Sequence, residues 1–364
     1  MSIHDDPLPC PSPALPQRVH GGLDASELRE LGLDPDRIID FSVNTNPYGP
    51  CPAVLDAIRN ARIDRYPDSA SLAVRGAIAE AHGAAPERIV VGNGASDLLW
   101  TLARTLFSSG DTVVIGEPAF SEFRAALNSS GVRCAECRAT EQDRFALSLS
   151  ELSRAVRRSN ARGIYLCSPG TPAGSSVAAA EIAEFALEHR GLPIVLDQSF
   201  LLLSDRRGDL SVSLPPNAIR VRSLTKDHAI PGLRIGYLLS EQNIAARIEA
   251  GRPAWTVNAI AQAAALAALR ERDFVDASWE KLRSHRDDLM TALRTIGLNP
   301  FPTSTFFFVV RVGDSAGLRL RLLKQHILVR DCASFGLPGF IRIAARPPED
   351  CERLIAALRR ELTP

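Results

Sequence analysis

The stretch Ser223-Leu-Thr-Lys226 follows a run of strand-forming residues and precedes Gly232-Leu-Arg-Ile-Gly-Tyr237. A lysine in this setting can form a Schiff base with an aldehyde cofactor. The hydroxyl of Ser223, three residues earlier, and the guanidinium of Arg234, eight residues later, can both bind a phosphate. The segment therefore indicates a cofactor that carries an aldehyde and a phosphate.

Two earlier segments add to this pattern. Asp197 ends the apolar run Pro193-Ile-Val-Leu-Asp197, where a carboxylate at the edge of a sheet can pair with a protonated pyridine nitrogen. The turn Gly92-Asn-Gly-Ala-Ser96 joins a strand-like run to a helix-like segment, and such a turn directs backbone N–H groups at an anion. Together with Lys226 these features predict a pyridoxal phosphate site. The residues that the turn contributes to it are Gly94, Ala95 and Ser96.

Between Ile89 and Leu239, apolar runs of strand length alternate with helical patterns. The runs are Ile89–Val91, Thr112–Ile115, Gly163–Cys167, Pro193–Leu196, Ile219–Val221 and Ile235–Leu239. This alternation predicts an α/β fold with a mostly parallel sheet that is covered by helices on both faces. The predicted site residues fall at strand ends, where open α/β sheets bind their ligands.

The remaining chain predicts a smaller second domain. Residues 244 to 296 have a helical pattern, and Pro300 and Pro302 prevent it from continuing further. Strand-like segments and a closing helix follow: Phe306-Phe-Phe-Val-Val-Arg311, Ile341-Arg-Ile343 and Pro348–Leu362. We expect a flexible proline-rich lead-in without signal-peptide character over residues 1–17, an N-terminal arm with part of the small domain over 18–60, a large cofactor-binding domain over 61–270 and a small α+β domain over 271–364.

The amino-acid composition argues against several classes of binding partner. The chain has 364 residues, 45% of them apolar, and a formal net charge of zero, which argues against a nucleic acid or a membrane surface as the main partner. Seven cysteines form no recognisable disulfide framework, so we expect a cytoplasmic protein. Cys134-Ala-Glu-Cys137 has the spacing of a metal knuckle, but no second pair or nearby histidines accompany it, and we predict no metal site. No apolar run approaches the roughly 18 residues of a membrane span.

In this order, the motifs resemble those of the fold-type-I pyridoxal-phosphate enzymes, the class I and II aminotransferase superfamily. From about His20 to the C-terminus the chain is most similar to the histidinol-phosphate aminotransferase branch and to the threonine-phosphate decarboxylases of cobalamin biosynthesis. The resemblance implies a mostly parallel seven-stranded sheet, a small anionic amino-acid substrate and a homodimer with composite active sites.

The resemblance also assigns cofactor contacts. Phe120 matches an aromatic residue that stacks on the pyridine ring, although a core phenylalanine is the plain alternative. Tyr66 matches a tyrosine that crosses to the partner subunit's cofactor phosphate; alternatively it is an exposed turn residue. At two positions the chain departs from the family pattern, because Thr171 replaces an asparagine and Phe200 a tyrosine, both of which donate to the phenolic oxygen of the cofactor. We expect this loss to raise the pKa of the Schiff base.

Further positions match substrate contacts in the family. Arg342 matches the arginine that binds the substrate's α-carboxylate, and Arg330, in Arg330-Asp-Cys-Ala-Ser334, matches an arginine at the phosphate end. Asn44 matches a substrate contact from the N-terminal loop. His20 and Gly21, in His20-Gly-Gly22, match the phosphate-binding motif of the decarboxylases. Either arginine could instead pair with a local carboxylate.

Two reactions remain open from the sequence. The first is decarboxylation of L-threonine O-3-phosphate, or of a close phospho-amino acid, to the amino-alcohol phosphate. The second is transamination of histidinol phosphate or of another amino acid, including one of specialised metabolism. A catalytically silent relative is a third hypothesis, and the presence of Lys226, Asp197 and Arg234 argues against it.

Overall fold

The computed structural model describes residues 21–362. The helices are α1 Ala25–Leu31, α2 Pro52–Arg59, α3 Leu72–His82, α4 Ala95–Leu106, α5 Ser121–Ser129, α6 Leu149–Ser159, α7 Ala179–Glu188, α8 Leu224–Asp227, α9 Gln242–Ala250, α10 Ala259–Ala268, α11 Arg272–Thr295, α12 Ser315–Leu323 and α13 Pro348–Leu362. The strands are β1 Ile39–Asp40, β2 Ile89–Gly92, β3 Thr112–Glu117, β4 Arg133–Arg138, β5 Gly163–Cys167, β6 Ile194–Asp197, β7 Ala218–Ser223, β8 Gly236–Leu239, β9 Phe307–Arg311, β10 Ile327–Leu328, β11 Arg330–Asp331 and β12 Phe340–Ala344. The predicted lead-in over residues 1–17 and His20 lie outside the described residues.

Seven strands form the central sheet, in the order β2-β8-β7-β6-β5-β3-β4. Strands β7, β6, β5, β3 and β4 pair in parallel, while β8 runs antiparallel to both of its neighbours. The predicted mostly parallel α/β sheet is confirmed. Each of the six apolar runs coincides with one strand, and the boundaries differ by no more than two residues.

The seventh strand, β4, has no counterpart among the six apolar runs. It lies at the edge of the sheet and pairs only with β3, so its side chains are mostly exposed or half-buried. An exposed edge strand does not need apolar residues, and its sequence, Arg-Cys-Ala-Glu-Cys-Arg, therefore gives no strand signal.

Both faces of the central sheet are covered by helices, because successive strand residues are apolar on both sides. Val90, Val113 and Val195 pack on one face with α4, α5 and α9. On the other face, Ile164 and Ile194 pack with α6 and α7, and the β2–β8 end of the sheet packs with α2, α3 and α10.

A second, antiparallel sheet has the order β11-β12-β9. Phe307 and Phe308 of β9 are fully buried in a core that also contains residues of α11, α12 and α13. Strand β1 pairs in parallel with β10, which attaches the N-terminal segment to this C-terminal part of the chain.

Candidate active site

A cavity of about 540 Å³ opens at the carboxyl ends of β5, β6 and β7. Because the carboxyl ends of parallel strands meet at one edge of a sheet, residues far apart in sequence converge there. The predicted site residues that line this cavity are Gly21, Asn44, Ala95, Ser96, Phe120, Thr171, Asp197, Ser223, Lys226, Arg234, Arg330 and Arg342.

Lys226 lies in α8, which begins directly after β7, and its side chain reaches the cavity. Burial lowers the pKa of Lys226 to about 8, and the positive charges of Arg342 and Arg234 act in the same direction. The negative charge of Asp197 opposes this shift. A substantial fraction of the amine is therefore neutral near pH 7 to 8, and only the neutral form can attack an aldehyde.

Asp197 is the last residue of β6 and is only 5% exposed. Its carboxylate accepts hydrogen bonds from the backbone N–H of Ser199, at 2.9 Å, and from the hydroxyl of Tyr165, at 3.3 Å. Burial raises the pKa of Asp197, whereas the hydrogen bonds from Ser199 and Tyr165 counteract that rise. Tyr165 was not singled out from the sequence, although it is the one polar-tipped residue in the apolar strand β5.

The N-terminus of α4 faces the cavity through Ala95 and Ser96, and Gly94 precedes it with φ of 83°. A Cβ atom on Gly94 would lie 2.7 Å from Nη2 of Arg234. The positive φ requires glycine here, and a Cβ atom would also displace this guanidinium from the start of the helix. The free N–H groups of the helix start, together with Arg234, form a cradle for an anion.

Hydroxyl groups extend this cradle on the β7 side. The side chains of Ser223 and Thr225 form a hydrogen bond of 2.6 Å with each other, and both residues line the cavity. Thr225 was missed in the sequence, where Ser223-Leu-Thr-Lys226 offers two hydroxyls and only the first was assigned.

At the other end of the cavity, Arg342 on β12 is opposite Arg330 on β11 in the antiparallel register. Arg342 donates to Oγ1 of Thr171 at 2.8 Å and to the backbone carbonyl of Ser42. Burial lowers the pKa of Arg342 to about 10, and the charge of Arg330 contributes to this lowering. Arg330 donates to the hydroxyl of Ser334 at 2.7 Å, and burial lowers its pKa as well.

Asn44 is 3% exposed and lines the same cavity. Neither its amide nitrogen nor its carbonyl oxygen has a hydrogen-bond partner among residues 21–362. A buried amide without partners is unfavourable by roughly 1–3 kcal/mol, so this side chain is arranged for a polar ligand in the cavity. Asn46, by contrast, is engaged with the protein itself, because it donates to the carbonyl of Asp227 at 3.0 Å.

The two departures from the family pattern both lie at the cavity wall. Thr171 accepts the hydrogen bond from Arg342 through Oγ1, and this leaves its O–H free to donate to a ligand. Phe200 packs edge-on against Phe307, with ring centroids 4.8 Å apart, and offers no donor.

Tyr66 does not reach this cavity. It is 78% exposed, and its ring stacks on Trp255 with a centroid distance of 4.7 Å. His20, which was predicted to bind the substrate phosphate, lies outside the described residues.

Residues 21–362 contain no group of three or more His, Cys, Asp or Glu side chains that could hold a metal. Cys134 and Cys137 lie on β4 at a spacing of three, so their side chains point to opposite faces of the strand. In the same part of the chain, no helix has the length and apolar character needed to cross a membrane.

The cavity residues fit pyridoxal phosphate. They provide an amine with a lowered pKa, a buried carboxylate, and a cradle at a helix start that a Cβ on Gly94 would obstruct. An aromatic ring, Phe120, lines the same cavity. These groups match the aldehyde, the pyridine nitrogen, the phosphate and the ring face of that cofactor.

Comparisons with known proteins agree with this chemistry. Residues 36–358 match the family model "Aminotransferase class I and II". Histidinol-phosphate aminotransferase 2 of Ralstonia nicotianae is 32% identical over 346 residues, which cover 92% of this chain and 91% of that protein.

Two solved structures are also similar. Histidinol-phosphate aminotransferase from Sinorhizobium meliloti, in complex with pyridoxal-5'-phosphate, superimposes with a TM-score of 0.82 at 29% identity and covers 92% of this chain and 94% of its own. L-threonine-O-3-phosphate decarboxylase from Porphyromonas gingivalis superimposes with a TM-score of 0.78 at 26% identity, covering 88% and 98% respectively.

Proposed function

The chain belongs to the class I and II aminotransferase family, and we propose that it decarboxylates L-threonine O-3-phosphate or a closely related phospho-amino acid. It is an enzyme of this family and uses pyridoxal phosphate. The observation that carries the proposal is the pair of Arg330 and Arg342, which are register partners and line the cavity that contains Lys226.

Two guanidinium groups on neighbouring strands favour a ligand with two anionic groups. A phospho-amino acid carries a carboxylate and a phosphate in one molecule, and each can form a bidentate pair with one arginine. Both arginines are about 95% buried, so little water competes with a bound anion for their guanidinium groups. The attraction between the charges is therefore stronger than in bulk water. In this proposal Arg342 binds the carboxylate, and Arg330, with Ser334, binds the phosphate.

The cofactor has its own set of residues in the proposal. The helix start at Gly94, Ala95 and Ser96, together with Ser223, Thr225 and Arg234, binds its phosphate. Asp197 pairs with the ring nitrogen, Phe120 stacks on the ring, and Thr171 donates to the phenolic oxygen. When bound, the cofactor withdraws electrons from the bonds at the substrate's α-carbon.

Side chains of the protein itself carry out the proton transfer and orient the substrate in this proposal. With the cofactor present, Nζ of Lys226 would hold its aldehyde, and a substrate amine would take the place of Lys226 there. Once displaced, its amine lies in the same cavity with a lowered pKa, so it can hold and release a proton near neutral pH. Loss of CO₂ leaves an electron pair at the α-carbon, and Lys226 returns a proton to that atom. Asn44, whose amide is unpartnered among residues 21–362, orients the substrate.

The proposed active unit is a homodimer. Tyr66 does not reach the cavity of its own chain, and exposed apolar side chains accompany it: Trp255, on which its ring stacks, is 49% exposed, and Ile63, three residues earlier, is 77% exposed. A second copy that covers this surface would bring Tyr66 to the partner's cofactor phosphate. Mixing inactive Lys226→Ala and Tyr66→Ala variants should then restore part of the activity, since some mixed dimers contain one intact site. Failure to restore activity between two folded, exchanging variants would contradict the composite site.

Transamination of histidinol phosphate is the second candidate. The specific observation in its favour is the 32% identity to a histidinol-phosphate aminotransferase over almost the whole chain. An aminotransferase also accepts two anionic ligands in turn, so the arginine pair is compatible with this reaction.

A product assay separates the two reactions. The holoenzyme is incubated with L-threonine O-3-phosphate without any keto acid, and CO₂ and the amino-alcohol phosphate are measured. Stoichiometric release of both supports decarboxylation. Formation of a keto product that depends on an added keto acid, from this substrate or from histidinol phosphate, would replace the decarboxylase assignment by an aminotransferase. The Lys226→Ala variant serves as the control for non-enzymatic loss of CO₂.

A further inference from the structure

A second cavity, of about 500 Å³, lies at the edge of the central sheet opposite to the edge near Lys226. It opens at the amino ends of β2 and β7, whereas Lys226 follows the carboxyl end of β7. The two cavities share no lining residue. Leu239 of β8 forms part of the wall and is opposite Arg220 of β7 in the register, so both side chains lie on the same face.

The charge of this cavity is strongly one-sided. Its lining contains four arginines, Arg88, Arg207, Arg220 and Arg272, and one histidine, His82. Among the described residues, no aspartate or glutamate lines it. The formal net charge of the whole chain is zero, so this excess of positive charge is local to the lining of the cavity.

Within residues 21–362, two of the four arginines have counter-ions. Arg88 pairs with Glu241 at 2.7 Å, and Arg207 pairs with Asp276. For Arg220 the structure gives one hydrogen bond, from Nη1 to the backbone carbonyl of Val212 at 3.4 Å. Neither Arg220 nor Arg272 has a carboxylate within 4.0 Å in residues 21–362.

The electrostatics of the neighbouring groups agree with an excess of positive charge. Burial lowers the pKa of Arg220, and the charges of Arg222 and Arg88 lower it further. Burial also lowers the pKa of His82 to about 4, with contributions from Arg222, Arg220 and Arg272. His82 is therefore neutral at pH 7, and its Nε2 lies 2.8 Å from the hydroxyl of Tyr237.

We propose that this second cavity is a binding site for a diphosphate group, either as free pyrophosphate or as part of a nucleoside diphosphate. Planar guanidinium forks match phosphate oxygens in pairs, and two of them here lack a carboxylate. The hydroxyl of Ser213, which also lines the cavity, adds a neutral donor. The site lies outside the reaction cavity, so its ligand is not the substrate.

The test measures anion binding to the holoenzyme by calorimetry, with inorganic pyrophosphate and ADP as separate probes. Arg272→Ala removes an exposed guanidinium at the start of α11, and Arg220→Gln removes the partly buried one. Each change should weaken binding about tenfold or more. Arg270→Ala is the matched control, because Arg270 is exposed and near Arg272 in the chain but does not line the cavity. Arg330→Met is the second control and removes the guanidinium that is proposed to bind phosphate in the reaction cavity.

The proposal requires that affinity falls in Arg272→Ala and Arg220→Gln but is retained in both controls. Tighter binding of ADP identifies a nucleotide as the source of the diphosphate, and tighter binding of pyrophosphate identifies the free ion. Absence of binding to the wild-type holoenzyme overturns the proposal. So does a loss of affinity in Arg330→Met alone, or an equal loss in Arg270→Ala. Because Arg272 is at the surface, its variant remains informative even when Arg220→Gln fails to fold.

Discussion

Arg330 on β11 and Arg342 on β12 are directly opposite each other in an antiparallel sheet, and both side chains are about 95% buried. Like charges that are directly opposite each other repel, and burial adds a desolvation free energy for each charge. Hydrogen bonds to Ser334 and Thr171 offset part of this cost. An anion in the cavity would offset more, so the pair is arranged for binding at the expense of stability.

We expect Arg330→Met to reduce the thermal stabilisation that L-threonine O-3-phosphate gives the holoenzyme. Loss of one charge-assisted pair should weaken ligand binding by about 1.5–3 kcal/mol, and stabilisation falls with affinity. A thermal melt at several ligand concentrations measures this. Arg311→Met is the matched control, because Arg311 lies on β9 of the same sheet but is exposed and pairs with Glu141. Equal stabilisation of both variants would contradict the assigned role of Arg330.

Covalent capture of the cofactor should occur at Lys226. The chain has only three lysines, Lys226, Lys281 and Lys324, which makes the site easy to map. Borohydride reduction of the holoenzyme followed by peptide mass spectrometry should place the reduced adduct on Lys226. Lys226→Ala should abolish the adduct and the visible absorbance band, while Lys324→Ala should retain both. An adduct on Lys281 or Lys324 in the wild type would contradict the assignment.

The rate of cofactor capture by the apo-protein should depend on pH. Because the pKa of Lys226 is lowered to about 8, the fraction of neutral amine rises about tenfold per pH unit below pH 8 and reaches a plateau above it. The capture rate should follow this fraction. Arg342→Met removes a positive charge that disfavours the ammonium form, so the pKa should rise, the plateau should move to higher pH, and capture at pH 7 should slow severalfold. Stopped-flow absorbance measures this, with Arg311→Met as the control. An unchanged pH profile in Arg342→Met would show that the charge of Arg342 does not reach Lys226.

Tyr165→Phe should weaken cofactor binding. Its hydroxyl donates to Asp197, so its removal should raise the pKa of that buried carboxyl and make the ionised form less available to a pyridinium. Loss of one hydrogen bond of about 1 kcal/mol corresponds to roughly a fivefold weaker affinity. A titration of apo-protein with the cofactor measures it. Tyr48→Phe is the control, because the hydroxyl of Tyr48 is buried without a hydrogen-bond partner in residues 21–362.

Phe200→Tyr should lower the spectroscopic pKa of the lysine-bound cofactor. A hydroxyl at this position would donate to the phenolic oxygen, stabilise the phenolate and thereby disfavour protonation of the imine. Absorbance spectra of the holoenzyme across pH give the pKa directly. Thr171→Val should shift it in the opposite direction, since it removes the donor that remains free beside Arg342. Identical titration curves for wild type and both variants would show that neither position contacts the phenolic oxygen.

Some features could be predicted from the sequence because they depend on local order. Asp197 ends β6 and Lys226 comes shortly after β7, and parallel strands bring their carboxyl ends to one edge of the sheet. Strand β4 could not be predicted in this way, since an edge strand with exposed side chains lacks the apolar signal. Thr225 and Tyr165 were missed because a hydroxyl near a predicted site, or at the tip of a buried ring, has no pattern of its own.

The sequence by itself determined the α/β alternation, the helix that starts after Gly94 and the lysine that follows β7, since strand periodicity and turn chemistry are encoded over a few neighbouring residues. Only the tertiary structure decided that Arg330 and Arg342 are opposite one another, that Tyr66 lies outside its own cavity and that arginines from four separate segments converge at the edge of the sheet opposite to Lys226. Such relations depend on strand register and on the packing of distant elements, which no local pattern specifies.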